Sequence, residues 1–202
     1  MAPPSTDLVR ATTVWAEEVH EPWLLRHGIR TWHFGRMLTQ IDGVDADPET
    51  SYLACLLHDV GLTDAHRVPQ GDDPAAACQC FAAHGAHVSE AKLLELGASP
   101  LLASEVADAI GMHLNAKVGV EAGGPARLVN QGAALDVVGV RASDLGKPVV
   151  KEVLARQDRT GFADQLLAVL RVENVERPSA RMASLFGVGM GPAIRLNPLN
   201  RL

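Results

Sequence analysis

LACLLHDVGLTDAH, residues 53–66, carries a buried-helix pattern that ends in an adjacent histidine and aspartate. Its opening residues, Leu53 to Leu57, are all small or apolar, and the segment begins upstream at Asp47-Pro48. Asp47 offers a capping carboxylate, and Pro48 takes the first helical turn, where a missing amide costs nothing. The pattern is that of a buried helix, with Gly61 expected to end it. At its end come His58 and Asp59, an imidazole and a carboxylate that a helix terminus can aim the same way. Nitrogen and oxygen donors of this kind suit zinc, iron or manganese better than calcium. Read alone, the pair is equally compatible with a packed His58 and an Asp59 paired to a nearby base.

Working outward, the same helical grammar repeats. Asp7 or Ser5 is expected to cap a first helix running to about Val19, and Pro22 to start a second that ends near Gln40. Residues 42–48 read as a solvated connector, since the segment lacks the downstream oxygen ligands and closing Glu of a calcium loop. Asp73-Pro74 and Ser99-Pro100 predict the starts of two more helices, of about 20 and 14 residues. Further helices are expected over 126–140, 148–156 and 162–172. No run alternates polar and apolar residues long enough for a sheet, so the expected class is all-α. The last sixteen residues, 187–202, hold three glycines and two prolines and are expected to lie as an irregular tail.

Bulk properties exclude several classes. The chain has 202 residues, 47% hydrophobic and 21% charged, with a formal net charge of -6. That suits one domain with a substantial core and gives no basic surface for a nucleic-acid backbone. Cys55, Cys78 and Cys80 make neither a disulfide framework nor a thiolate metal knuckle. No apolar stretch approaches a membrane span, and the first ten residues lack the basic-then-apolar pattern of a signal peptide. A cytoplasmic protein acting on a small molecule is expected. Self-association through an apolar helix face is open.

The eight histidines, at 20, 27, 33, 58, 66, 84, 87 and 113, all fall in the first 113 residues. Asp136 sits in GAALDVVGVR, where a carboxylate is costly to bury unless a charge or a metal compensates it. Two readings stay open: a metal ligand, or an ion pair with Arg30 or Arg141. His27 lies near Arg30 in a helix and reads either as a ligand or as a solvent-facing side chain. His113 reads, from its own surroundings, as a packed histidine at its helix end. His84 and His87, at i and i+3, read as cavity-lining, as a hold for a second cation, or as ordinary polar residues. His20 and His33 read as structural or exposed.

The order His27, His58-Asp59, Asp136 resembles the H…HD…D signature of the HD-domain superfamily of metal-dependent hydrolases. The flanking text is similar to its cyanamide-hydratase-like branch: HGIRTWHFG at 27–35, LLHDVGLTDAH at 56–66, AIGMHLNAKVGV at 109–120, LVNQGAALDVVGVR at 128–141 and NPLN at 197–200. The resemblance covers about residues 20–200 and implies a helical bundle with a central metal site. The corresponding division is an N-terminal helix over 1–19, the HD domain over 20–186 and the tail over 187–202. The resemblance further implies that His27, His58, Asp59 and Asp136 ligate one divalent transition metal, zinc first, with iron or manganese as alternatives. His113, Asp59 and, less directly, His84 are the implied catalytic groups. His66, Thr63, Phe34 and Arg30 are expected to meet substrate, Arg30 also orienting a ligand carboxylate. Where the branch usually has an acidic residue after the phenylalanine of CFAAHGAHVSEA, this chain has Ala82 and then His84.

The implied chemistry is hydration or hydrolysis of a small nitrogen-containing molecule that is nitrile-, cyanamide- or amide-like. The alternative is a phosphomonoesterase on a nucleotide or other small phosphate ester, which prefers cations around the phosphate. The candidates for that role are Arg30, Arg67, Lys117 and Arg127.

Overall fold

In a computed structural model that describes residues 3–67 and 80–202, the chain folds as an all-α bundle. Its helices are α1 (Asp7–Val19), α2 (Pro22–Ile41), α3 (Pro48–Leu57), α4 (Phe81–Glu95), α5 (Pro100–Met112) and α6 (Gly123–Val138), followed by the short α7 (Ala142–Leu145), then α8 (Lys147–Arg156), α9 (Phe162–Glu176), α10 (Arg181–Gly187) and α11 (Met190–Leu196). Short 3-10 turns occupy Val60–Leu62, Val120–Ala122 and Pro198–Arg201. Among the described residues no helix is long and apolar enough to cross a membrane.

Most starts follow the local chemistry. Asp47 caps α3 by accepting from the Thr50 amide, and Ser99 caps α5 by accepting from Leu102. The cap of α1 is Thr6, whose hydroxyl accepts from Val9, in place of Asp7 or Ser5. The predicted start at Asp73-Pro74 lies outside the described residues. Gly61 does not end α3; the helix stops at Leu57 and Gly61 sits in the 3-10 turn beyond it.

The tail expectation needs correction. Residues 187–202 are largely helical, because Gly187 and Gly189 punctuate the segment without dissolving it. Gly189 adopts φ 100° and starts α11, whose Ile194 is fully buried. The glycines and prolines of this segment mark breaks between short helices, not an absence of helix.

The centre of the bundle is the crossing of α2 on α6. A Cβ on Gly132 would stand 2.0 Å from the Thr31 carbonyl oxygen, and one on Gly35 would stand 2.2 Å from that of Leu128. Only hydrogen side chains permit this approach. His27 lies one turn before Thr31 and Asp136 one turn after Gly132, so the tight crossing delivers both to one place.

Candidate metal centre

Four side chains converge where α2, α3, α5 and α6 meet. His58 is the C-cap of α3, Asp59 follows it, and His113 is the C-cap of α5. The Nε2 atoms of His27 and His58 are 3.1 Å apart. Asp59 Oδ2 lies 3.5 Å from His27 Nε2 and 3.4 Å from His58 Nε2, and its Oδ1 lies 3.6 Å from His113 Nε2. All four residues are buried.

The other ring nitrogens fix the protonation. His58 Nδ1 donates to the Cys55 carbonyl at 2.8 Å, His113 Nδ1 to the Ile110 carbonyl at 2.7 Å, and His27 Nδ1 to Asp136 Oδ2 at 2.7 Å. Each acceptor demands a hydrogen at Nδ1, which leaves the Nε2 of each ring facing Asp59. Burial pushes the His58 pKa down and the His113 pKa down to about 3, which keeps both rings uncharged at neutral pH. Lone pairs and a carboxylate facing one another at these distances repel unless a cation lies among them. His27, His58 and Asp59 form a group able to hold a metal ion, and the nitrogen and oxygen donors fit a divalent transition ion.

Asp136 stands behind His27, on the far side of the ring from Asp59. Arg30 Nε donates to its two oxygens at 3.0 and 2.9 Å, and Arg159 Nε donates to Oδ1 at 3.0 Å. Burial alone would raise its pKa, but Arg30 and His27 hold the carboxyl far below the ordinary carboxylate range. Asp136 is thus ion-paired with Arg30, and the group within reach of one ion is His27, His58 and Asp59. A carboxylate bound to the distal nitrogen of a ligating histidine fixes its tautomer and raises its basicity. The guanidinium carbons of Arg30 and Arg159 each lie 4.8 Å from the Phe162 ring centroid, and the His27 ring lies 4.9 Å from it. The closing NPLN segment completes the assembly. Asn197 donates to the Asp136 carbonyl at 2.9 Å, and Asn200 accepts from Arg159.

The remaining expected site residues disperse. Arg30 is fully buried on Asp136. Phe34 is equally buried, in a cluster with Leu38, Leu135 and Val150. Thr63 is buried and its hydroxyl donates to the Val60 carbonyl. His66 is half-buried against Trp15, with ring centroids 5.4 Å apart. His84 is half-buried and hydrogen-bonds the His66 backbone, and His87 is exposed. None of these lines the cavity that opens onto His27, His58, Asp59 and His113. Among the described residues, His84 and His87 join no group able to hold a second ion.

Sequence reasoning passed over Arg159, Phe162 and Asn130. Asn130 donates to the carbonyls of His113 and Asn115 at 2.9 and 2.8 Å, and so pins the end of α5. Its signal was an amide pair, Asn130-Gln131, inside an otherwise apolar helix. His20 takes the structural alternative: it is buried, Nδ1 engages the Ala16 carbonyl at 3.0 Å, and burial pushes its pKa down to about 4.

A family model described as HD domain matches residues 24–159, most of the chain. No curated protein compared with the chain matches it. The chain belongs to the HD-domain family and is a metal-dependent hydrolase, with a His27, His58 and Asp59 cluster able to coordinate one divalent ion.

Proposed function

We propose that the protein hydrates or hydrolyses an uncharged, nitrogen-containing small molecule of the nitrile, cyanamide or amide type, as its likeness to the cyanamide-hydratase-like branch suggests. The observation that carries this reading is the charge of the cavity wall. Among the described residues lining it, the only guanidinium or ammonium is Arg141. That group is committed to Asp42 at 2.8 Å and to Asp144 at 2.8 Å. Arg127 lies 3.8 Å from Asp42, and Arg67 lies 3.5 Å from Asp64. Lys117 is exposed, and Arg30 is spent on Asp136. Lys117 does not line the cavity, so among its described lining residues a phosphate ester meets only the already paired Arg141, whereas phosphoryl chemistry depends on free cations. A neutral substrate makes no such demand.

His27, His58 and Asp59 would hold the ion, with zinc our first choice and iron or manganese the alternatives. When bound, such an ion acidifies water and polarises the group that gains charge. The chain's own residues do the rest. Asp136, braced by Arg30 and Arg159, keeps the His27 hydrogen on Nδ1 and so keeps Nε2 free as a donor atom. His113, its Nδ1 hydrogen held by the Ile110 carbonyl, offers an unprotonated Nε2 that accepts a hydrogen bond from the adding water and orients it.

The test is a substrate panel on metal-supplied enzyme: cyanamide, nitriles and amides against p-nitrophenyl phosphate and nucleoside monophosphates. Turnover confined to the nitrogenous compounds is expected. Turnover confined to the phosphate esters overturns the reading.

A further inference from the structure

Resting on that reading, we propose that the substrate carries an apolar body, so that the preferred compound is an organic nitrile or amide with a ring or alkyl chain and not one as small as cyanamide. The cavity is asymmetric. One end presents His27, His58, Asp59 and His113. The rest extends between α6, α9, α10 and α11, and its wall includes Val137, Leu166, Leu170, Met182, Leu185 and Met190.

Among the described residues, Asn130, Gln131 and Asn115 on this wall are engaged by the protein itself. Asn130 donates to two backbone carbonyls. Gln131 donates to Asp42 at 3.0 Å and accepts from Arg141 at 3.1 Å. Asn115 accepts from Arg181 at 2.9 Å. Away from the metal-facing end, the surface offered to a ligand is therefore mainly hydrocarbon. A ligand that fits has one polar, reactive end and a hydrocarbon remainder.

Size points the same way. The cavity volume is about 280 Å³, equivalent to roughly nine water molecules at ~30 Å³ each. A substrate as small as cyanamide would leave most of it as water against leucine and methionine side chains, which is unfavourable. An apolar body would displace that water. The two methionines suit this role, since unbranched thioether chains adapt to the shape of what they enclose.

The experiment measures kcat/KM for cyanamide, acetonitrile, butyronitrile and benzonitrile on metal-supplied enzyme, and repeats the series on Ala134→Phe. Ala134 lines the cavity on α6, so the added ring occupies the space assigned to the substrate body. A methylene entering an apolar pocket is worth about tenfold in specificity, so benzonitrile should exceed acetonitrile by at least about that factor. In Ala134→Phe the benzonitrile to acetonitrile ratio should fall toward one while the bound-metal content is unchanged. Binding gives an independent readout: benzamide should raise the melting temperature of the wild type but not of the variant. Cyanamide or acetonitrile outperforming benzonitrile overturns the inference and leaves the nitrogenous reading standing. Turnover of phosphate esters alone overturns both.

Discussion

Replacing Asp136 with Asn is the most informative single perturbation of this molecule. Its side chain is fully buried and takes hydrogen bonds from His27, Arg30 and Arg159. Asparagine keeps the shape and removes the charge, leaving two guanidiniums facing a neutral amide in the interior. Removing one partner of a buried ionic group costs about 3–5 kcal/mol. For a domain of this size, ~2–4 °C per kcal/mol gives a fall in melting temperature of roughly 6–20 °C. The pH dependence follows from the same charge. Because the folded carboxyl is held far below its ordinary pKa, its stabilisation is complete above the unfolded value of about 4 and is lost as the pH falls toward the folded value. Wild-type stability should therefore drop below about pH 4, and the variant should lose less over the same window. Metal should still bind, but about 10–100-fold more weakly, as befits a group that orients a ligand without being one. Urea denaturation of the metal-free protein measures the first effect, and competition against a chromophoric chelator measures the last. If Asp136→Asn lost the ion completely while the metal-free protein kept its full stability, Asp136 would be a ligand and the reasoning would fail.

Two further outcomes follow from the packing. Gly132→Ala should destabilise the fold by at least about 1–3 kcal/mol, because its Cβ meets the Thr31 carbonyl at 2.0 Å; an unchanged thermal melt would contradict the close crossing of α2 and α6. Burial lowers the His20 pKa from 6.5 to about 4, so its contribution is complete above about pH 6.5 and is lost as the pH falls toward 4. At ~1.4 kcal/mol per unit that loss is about 3 kcal/mol. His20→Gln should flatten the stability profile over that range, and an identical slope by chemical denaturation would refute the assignment.

The helices were legible because their chemistry is local. Asp47-Pro48, Ser99-Pro100 and Pro22 mark real starts, since a cap and a first-turn proline act within one turn of chain. The pair His58-Asp59 was legible for the same reason, lying at a helix end that aims both side chains. The position of Asp136 relative to His27 was not legible. A buried aspartate needs a compensating charge, and the pattern around residue 136 supports a metal or an arginine equally. The choice depends on which side of the His27 ring α6 passes, a property of the crossing at Gly132 and Gly35. Arg159 was invisible for a related reason: in a short polar connection an arginine reads as solvated, and only the packing of α9 and the last turn of chain buries it. The helices within 187–202 were hidden because glycine weakens a helical pattern locally, although here it separates short helices.

The central claim is that His27, His58 and Asp59 hold one catalytic divalent ion, and the most direct test is elemental analysis of protein purified without added metal, beside Asp59→Ala. The account predicts about one equivalent of zinc, iron or manganese in the wild type and its loss in the variant. Protein that carries no metal and takes up none specifically on reconstitution would contradict it.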